Sequence, residues 1–178
     1  MKKINYVLIL LFFIFACILF LPHNNLLYIV ENTLSKNKIA ISQEVLTQKI
    51  FGLDIKNIEI SYDEIKAGTI ENATIDIFGV YNKLTINTAV IDTKNFSSIP
   101  KNIKILEAKY SLFSPTIIEL YSQNDLGIID GYISLRTQKI VLELHPSEEA
   151  KSKYSTILNF FKVQKEGLYT YEKNIKLY

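Results

Sequence analysis

Residues 58–90 read IEISYDEIKAGTIENATIDIFGVYNKLTINTAV, and the spacing of the apolar side chains in this stretch decides the fold. Ile58, Ile60 and Tyr62 alternate with Glu59 and Ser61. Ala73, Ile75 and Ile77 alternate with Thr74 and Asp76. Leu84, Ile86, Thr88 and Val90 alternate with Thr85, Asn87 and Ala89. A period of two places one set of side chains on each face of an extended chain, so these are half-buried strands. Their content of Ile, Thr and Tyr suits a pleated surface. Lys66-Ala67-Gly68 and Gly79-Val80-Tyr81-Asn82-Lys83 are expected to form the turns between them.

The same period continues toward the C-terminus. Ile103 and Ile105 form a less clean strand. Ile118 and Leu120 flank Glu119. Ile129, Gly131, Ile133 and Leu135 alternate with Asp130, Tyr132 and Ser134, and Ile140, Leu142 and Leu144 alternate with Val141 and Glu143. Asn124-Asp125-Leu126-Gly127 and Arg136-Thr137-Gln138-Lys139 have hairpin length. Pro100 and Pro115 stand just outside strands, where a missing donor does no harm. About eight strands in series predict a mainly β (β-rich α+β) fold, an antiparallel meander with one oily and one wetter face. Pro146-Ser147-Glu148-Glu149 starts a helix, with Ser147 as cap and two acids at its positive end. Ala150, Tyr154, Ile157, Leu158 and Phe161 carry helical spacing to about Lys162, giving one C-terminal helix packed on the sheet. Gly167 ends the pattern, and Leu168 to Tyr171 read as a last strand.

Toward the N-terminus the spacing becomes helical. Ser42 is expected to cap a short helix with Val45, Leu46 and Ile50 on one face, ending at Phe51-Gly52. Leu26, Leu27, Val30 and Leu34 predict another helix from about Asn25 to Ser35, with Asn24 or Asn25 as cap. Residues 24–52 are thus read as a membrane-proximal helical segment, and 53–178 as the β-rich domain.

Residues 1–23 are read as a cytoplasmic flank and a transmembrane anchor. The run Val7-Leu8-Ile9-Leu10-Leu11-Phe12-Phe13-Ile14-Phe15-Ala16-Cys17-Ile18-Leu19-Phe20-Leu21 has no polar interruption. In lipid only a helix satisfies its own backbone. With Ile4, Asn5 and Tyr6 the run approaches the length that spans a bilayer core. Lys2 and Lys3 hold the N-terminus in the cytoplasm by the positive-inside rule, so the rest is translocated. A cleavage site would need small residues after the apolar core, and Leu21-Pro22-His23-Asn24-Asn25 supplies none. Ala16-Cys17 is a poor lipoprotein signal, because Phe15 is too bulky and more apolar residues follow. Cys17 is the only cysteine, so the translocated part has no disulfide and no thiolate metal site.

Composition agrees. Of the 178 residues 48% are hydrophobic and 21% charged, and the net charge is +2. Lys2 and Lys3 account for that surplus, since the remaining 18 basic residues match the 18 acidic ones. An electroneutral, apolar-rich body excludes disorder and a nucleic-acid-binding role. No catalytic set is visible. The only histidines are His23, beside the apolar run, and His145, before Pro146, and no Gly-flanked serine elbow accompanies either. Asp54, Glu59, Asp63 and Glu64 alternate with Lys56 and Lys66, the pattern of a solvated strand face. Asn72-Ala73-Thr74 and Asn95-Phe96-Ser97 match the glycosylation pattern, which is short enough to arise by chance. No catalytic residue, metal or cofactor is therefore expected. The 11 tyrosines and the 10 phenylalanines, some of them in the anchor, leave open whether an aromatic, Ile-rich sheet face lines an apolar groove. A sheet simply covered by the helix after Ser147 is the preferred reading.

Two stretches carry a family resemblance. GLDIKNIEISYDEIKAGTIENATIDIFG, residues 52–79, opens a sheet, and LGIIDGYISLRTQKIVLELHPS, residues 126–147, continues it with a hairpin before a helix. Anchor, membrane-proximal helix, Gly-punctuated meander, closing helix and strand follow in that order. From Leu53 to Tyr171 this resembles the type II secretion system protein N family and the related AsmA-like envelope proteins, by pattern rather than by any invariant signature. The first resemblance implies a single-pass protein of the bacterial inner membrane with a periplasmic β domain, accessory to protein secretion. The second implies lipid carriage along a β-groove. The layout is also similar to the anchored lipopolysaccharide-transport C protein. The expected role is that of a non-enzymatic interaction module of a secretion apparatus, with lipid handling as the alternative. The expected partners are the membrane, envelope or secretion-system proteins, and a lipid.

Overall fold

In the computed structural model, residues 23–92, 94, 99–164 and 167–175 are described. The anchor, Lys2 and Lys3 lie outside them. Among the described residues no helix is long and apolar enough to cross a membrane.

The protein is mainly β. Helix α1 (His23–Ser35) leads into a single antiparallel sheet. Its strands are β1 (Ile39–Lys49), β2 (Gly52–Tyr62), β3 (Ile65–Ile77), β4 (Tyr81–Ile91) and β5 (Asn102–Ser111). Then come β6 (Ile117–Asn124), β7 (Gly127–Ser134) and β8 (Lys139–Pro146). After two short helices, α2 (Glu148–Lys153) and α3 (Ser155–Leu158), come β9 (Lys162–Val163) and β10 (Tyr169–Asn174). The order across the sheet is β1 to β8, then β10, then β9, ten strands in an open meander.

Three expectations need correction. The helix expected after Ser42 is strand β1, in register with β2 from Ile39↔Tyr62 to Lys49↔Gly52. Val45, Leu46 and Ile50 do have helical spacing, but pairing with β2 satisfies the backbone of this segment and overrides a weak local preference. Only α1 of the 24–52 segment is therefore helical, and Asn24 and Asn25 lie inside its first turn rather than capping it. Lys66-Ala67-Gly68 is not a turn but the start of β3. The turn is the two-residue Asp63-Glu64, both at positive φ (50° and 68°), as a type I′ hairpin requires. The long C-terminal helix is broken at Tyr154 (φ −117°, ψ 31°). Ser147 caps it as expected, accepting from Ala150 N–H at 3.1 Å. Beyond that, Ser152, Ser155 and Thr156 supply side chains that compete for the backbone, and the Ser152 hydroxyl donates to Glu149 O at 2.9 Å.

One feature organises the apolar face. In β2 the inward residues are Leu53 and Ile55, then Ile58 and Ile60. In β3 they are Gly68 and Ile70, then Ala73 and Ile75; in β4, Leu84 and Ile86, then Ala89 and Ile91. Each strand slips its alternation by one residue midway. The slips line up, because the rungs Gln43↔Ile58↔Ile70↔Ala89↔Ile103 and Val45↔Lys56↔Asn72↔Asn87↔Ile105 bracket the same gap. Asn57 and Thr88, in that gap on alternate strands, both have φ 54°. A left-handed residue turns the chain so that the next side chain falls on the face just left. Consequently Thr88 and Val90, expected beside Leu84 and Ile86, give way to Ala89 and Ile91.

At two turns glycine is required by close approach and a positive φ together. A Cβ at Gly52 would lie 1.9 Å from Ile75 O, and one at Gly127 would lie 2.1 Å from His145 O. Each opens a strand directly after a two-residue turn.

Candidate functional site: an open apolar groove

A single row shows that the oily face is continuous. Leu46, Ile55, Ala73, Ile86, Leu106, Ser122, Ile129, Leu144 and Tyr169 are successive cross-strand neighbours from β1 to β10. The face has two cores. At the C-terminal side, α2 and α3 lay Ala150, Tyr154 and Leu158 on Leu126 and Leu144, with Ile129, Phe161 and Tyr169 around them. At the N-terminal side, Leu53, Ile55, Ile58, Ile70, Ala73 and Ala89 form the second core. Among the described residues the one helix that touches the N-terminal side is α1, against β1 and β2.

The uncovered part is a groove of about 490 Å³. Its floor is Ile60, Gly68, Ile70, Ala89, Ile91 and Ile103, with Ile86 and Leu106 at one end and Ile39, Tyr62, Ala67 and Ile99 toward the other. Among the described residues no charged one lines it. At the end of the β1–β2 and β3–β4 turns Leu53 is fully buried, and the Phe51 and Phe78 rings pack 5.5 Å apart over the turns. The open end is the one where α1 enters β1, marked by Ile39 and Tyr62. The groove thus lies open on the sheet face, with its Ile39 and Tyr62 end toward α1. The slip line makes it, because it brings Ala89 rather than Thr88 onto the floor and keeps the apolar face unbroken along strands of eleven to thirteen residues.

The opposite face is polar and laced with ion pairs. Lys83 and Lys109 hold Glu107 at 2.5 and 3.0 Å. The Lys83 hydrogen bond is the main reason the Glu107 carboxyl lies below its ordinary range, against the opposing effect of burial. Lys109 is raised, chiefly by its hydrogen bond to Glu107. Lys49 reaches Asp54 at 2.7 Å, and the Thr74 hydroxyl donates to the same carboxylate at 2.9 Å. The Lys49 hydrogen bond is the first cause of the lowered Asp54 carboxyl. Glu59 pairs with Lys66, and Asp63 with Lys38 at 3.0 Å. The acidic stretch is thus a paired, solvated face.

His145 is exposed in β8, opposite Ile128 of β7. Among the described residues, no three histidine, cysteine, aspartate or glutamate side chains come together as metal ligands. Asn72 sits half-buried within β3, and Asn95-Phe96-Ser97 falls outside the described residues. The sequence raised the groove only as an alternative to a covered sheet. Both halves of that choice are realised, the helices covering β7 and β8 and leaving β2 to β5 open. Apolar spacing across the slip, Ile55 to Ile58 and Ile86 to Ala89, was the signal that could have located it.

No family model, no curated protein and no solved structure matches the chain.

Proposed function

We propose that this protein handles lipid, holding an acyl chain in the groove of β2 to β5 while anchored at a membrane by its N-terminal run. The observation that carries this reading is an open apolar groove whose described lining residues carry no charge and whose Ile39 and Tyr62 end lies toward α1. Volumes of about 300–1,000 Å³ are usual for small-molecule sites, and predominantly apolar walls favour a hydrocarbon guest. Helix α1 joins the apolar run of residues 7–21 to the mouth, and its Tyr28, Ile29 and Val30 are exposed. Exposed apolar residues beside a lipid-inserting segment lose little when they rest on a bilayer surface. The mouth would then face the source of the ligand. In this reading the protein sits in the inner membrane of a bacterium with its sheet in the periplasm, as the AsmA-like resemblance implies.

Native mass spectrometry of the full-length protein, extracted in mild detergent, tests the reading. A retained lipid is expected in the wild type and not in Ala89→Phe, which fills the floor. Tyr62→Asn, at a half-exposed mouth position, should weaken retention with the fold intact. A clean unliganded mass for the wild type would sink the proposal.

The reading as an accessory module of a secretion apparatus is supported by one feature, the free edge of β1. Among the described residues β1 pairs only with β2, and such an edge offers unpaired backbone groups to another strand. Photocrosslinkers placed at Val45 and Thr47 in cells should capture envelope or secretion-system proteins; labelling of lipid alone would leave the groove as the functional feature.

A further inference from the structure

The mouth of the groove has a charged neighbour. A second hollow, of about 290 Å³, shares the Gly68-Thr69 and Val90-Ile91 walls with the groove and is lined by Lys66, Lys94 and Lys101. All three lysines stand at the same end of the sheet, where β3 begins, β4 ends and β5 is about to begin. Lys101 is tied there by its backbone, because Ile91 N–H donates to Lys101 O at 2.8 Å and so places it opposite a residue of the groove floor.

The acids at this rim are mostly engaged. Glu59 is taken by Lys66, and Asp63 by Lys38. Asp92, among the described residues the one carboxylate lining the hollow, accepts the Lys94 backbone N–H at 3.0 Å and keeps its charge, so it offsets one of the three lining lysines. Glu64 lies on the β2–β3 turn. Among the described residues Lys94 and Lys101 make no ion pair, although seven other pairs exist in the protein. Lysines left unpaired within an otherwise neutral, salt-bridged body leave local positive charge beside an apolar groove. Hydrocarbon gains from the groove and nothing from the lysines; a free anion gains from the lysines and nothing from the groove. An amphiphile with an anionic head gains from both.

We infer that the ligand is an anionic lipid, its acyl chain in the groove and its phosphate or carboxylate head at Lys94 and Lys101, with Lys66 alongside. This rests on the acyl-binding reading above and adds the headgroup class. Displacement of a neutral fluorescent alkyl probe from the full-length protein in neutral-lipid nanodiscs tests it, with dodecyl phosphate, dodecanol and inorganic phosphate as competitors and empty nanodiscs as the control. Dodecyl phosphate is expected to displace the probe up to about thirtyfold better than dodecanol at low salt, the size given by roughly 1 kcal/mol for each of Lys94 and Lys101, less the opposing charge of Asp92. That ratio should fall toward one in Lys94→Gln/Lys101→Gln and in the wild type at high salt. Equal displacement by the alcohol and the phosphate in the wild type would overturn the headgroup assignment and leave the groove reading standing. Inorganic phosphate erasing the advantage at the same concentration as the lipid would assign the lysines to a free anion and overturn it as well. Failure of every alkyl competitor to displace, or of the probe to bind, would overturn both readings together.

Discussion

Thr88 stands at a backbone angle that β-branched residues rarely take. Its φ of 54° costs roughly 1–2 kcal/mol for an ordinary L-residue, and a second branch at Cβ adds crowding. Its side chain is exposed, so nothing buried compensates. Thr88→Asn should raise stability by about 1 kcal/mol in urea unfolding, because asparagine tolerates this region. Asn57, at the same angle two strands away, is the natural control: Asn57→Val should lose stability. Glu64 in the Asp63-Glu64 turn offers the same test, and Glu64→Gly is expected to stabilise by a similar amount. Gly127→Ala should instead destabilise by several kcal/mol or prevent folding, because its Cβ would meet His145 O. The alternation itself was legible in the residues; the left-handed angles were not, since threonine carries no such signal.

At the level of elements, the two short helices and the polar ladder on β4 and β5 matter most. Ser147→Ala removes the hydroxyl that accepts Ala150 N–H and should cost about 1 kcal/mol in denaturant unfolding. The cap could be predicted because capping is local chemistry. The break at Tyr154 could not, because it depends on Tyr154 and Leu158 being drawn onto Leu144 of the sheet. The Glu107 ladder makes a prediction in pH. A carboxyl lowered in the folded state contributes stability above its unfolded value, near 4.5, and loses it as pH falls through the folded value. Lys109, raised in the folded state, contributes below about 10.5 and loses that contribution as pH climbs through its higher folded value. Asp54 adds to the acid side with the same sign. Thermal stability should therefore decline in acid below about pH 4.5, and Glu107→Gln should flatten that decline while costing about 1 kcal/mol at neutral pH.

For the whole molecule, the asymmetry of the sheet is the main fact. One face runs from Leu46 to Tyr169, and among the described residues α2 and α3 cover its C-terminal part. Leu144→Ala, beneath the helices, should cost about 2–5 kcal/mol by leaving a cavity. Tyr62→Asn, at the open mouth, should leave melting nearly unchanged and alter only ligand retention, since half-exposed side chains contribute little to burial. The sequence by itself determined the strands, the two-faced sheet, the helix start at Ser147 and the electroneutral body. Periodicity, capping and charge are properties of neighbours along the chain. Only the tertiary structure decided that residues 39–49 pair as a strand, that β2, β3 and β4 slip their alternation along one line, and that the described helices cap the oily face on one side and leave it open on the other. Those depend on register and on which surfaces meet, and no local preference fixes either. The opening of the groove beside Lys94 and Lys101 is of this second kind, because it joins residues from three strands and a connection that only the folded sheet brings to one rim.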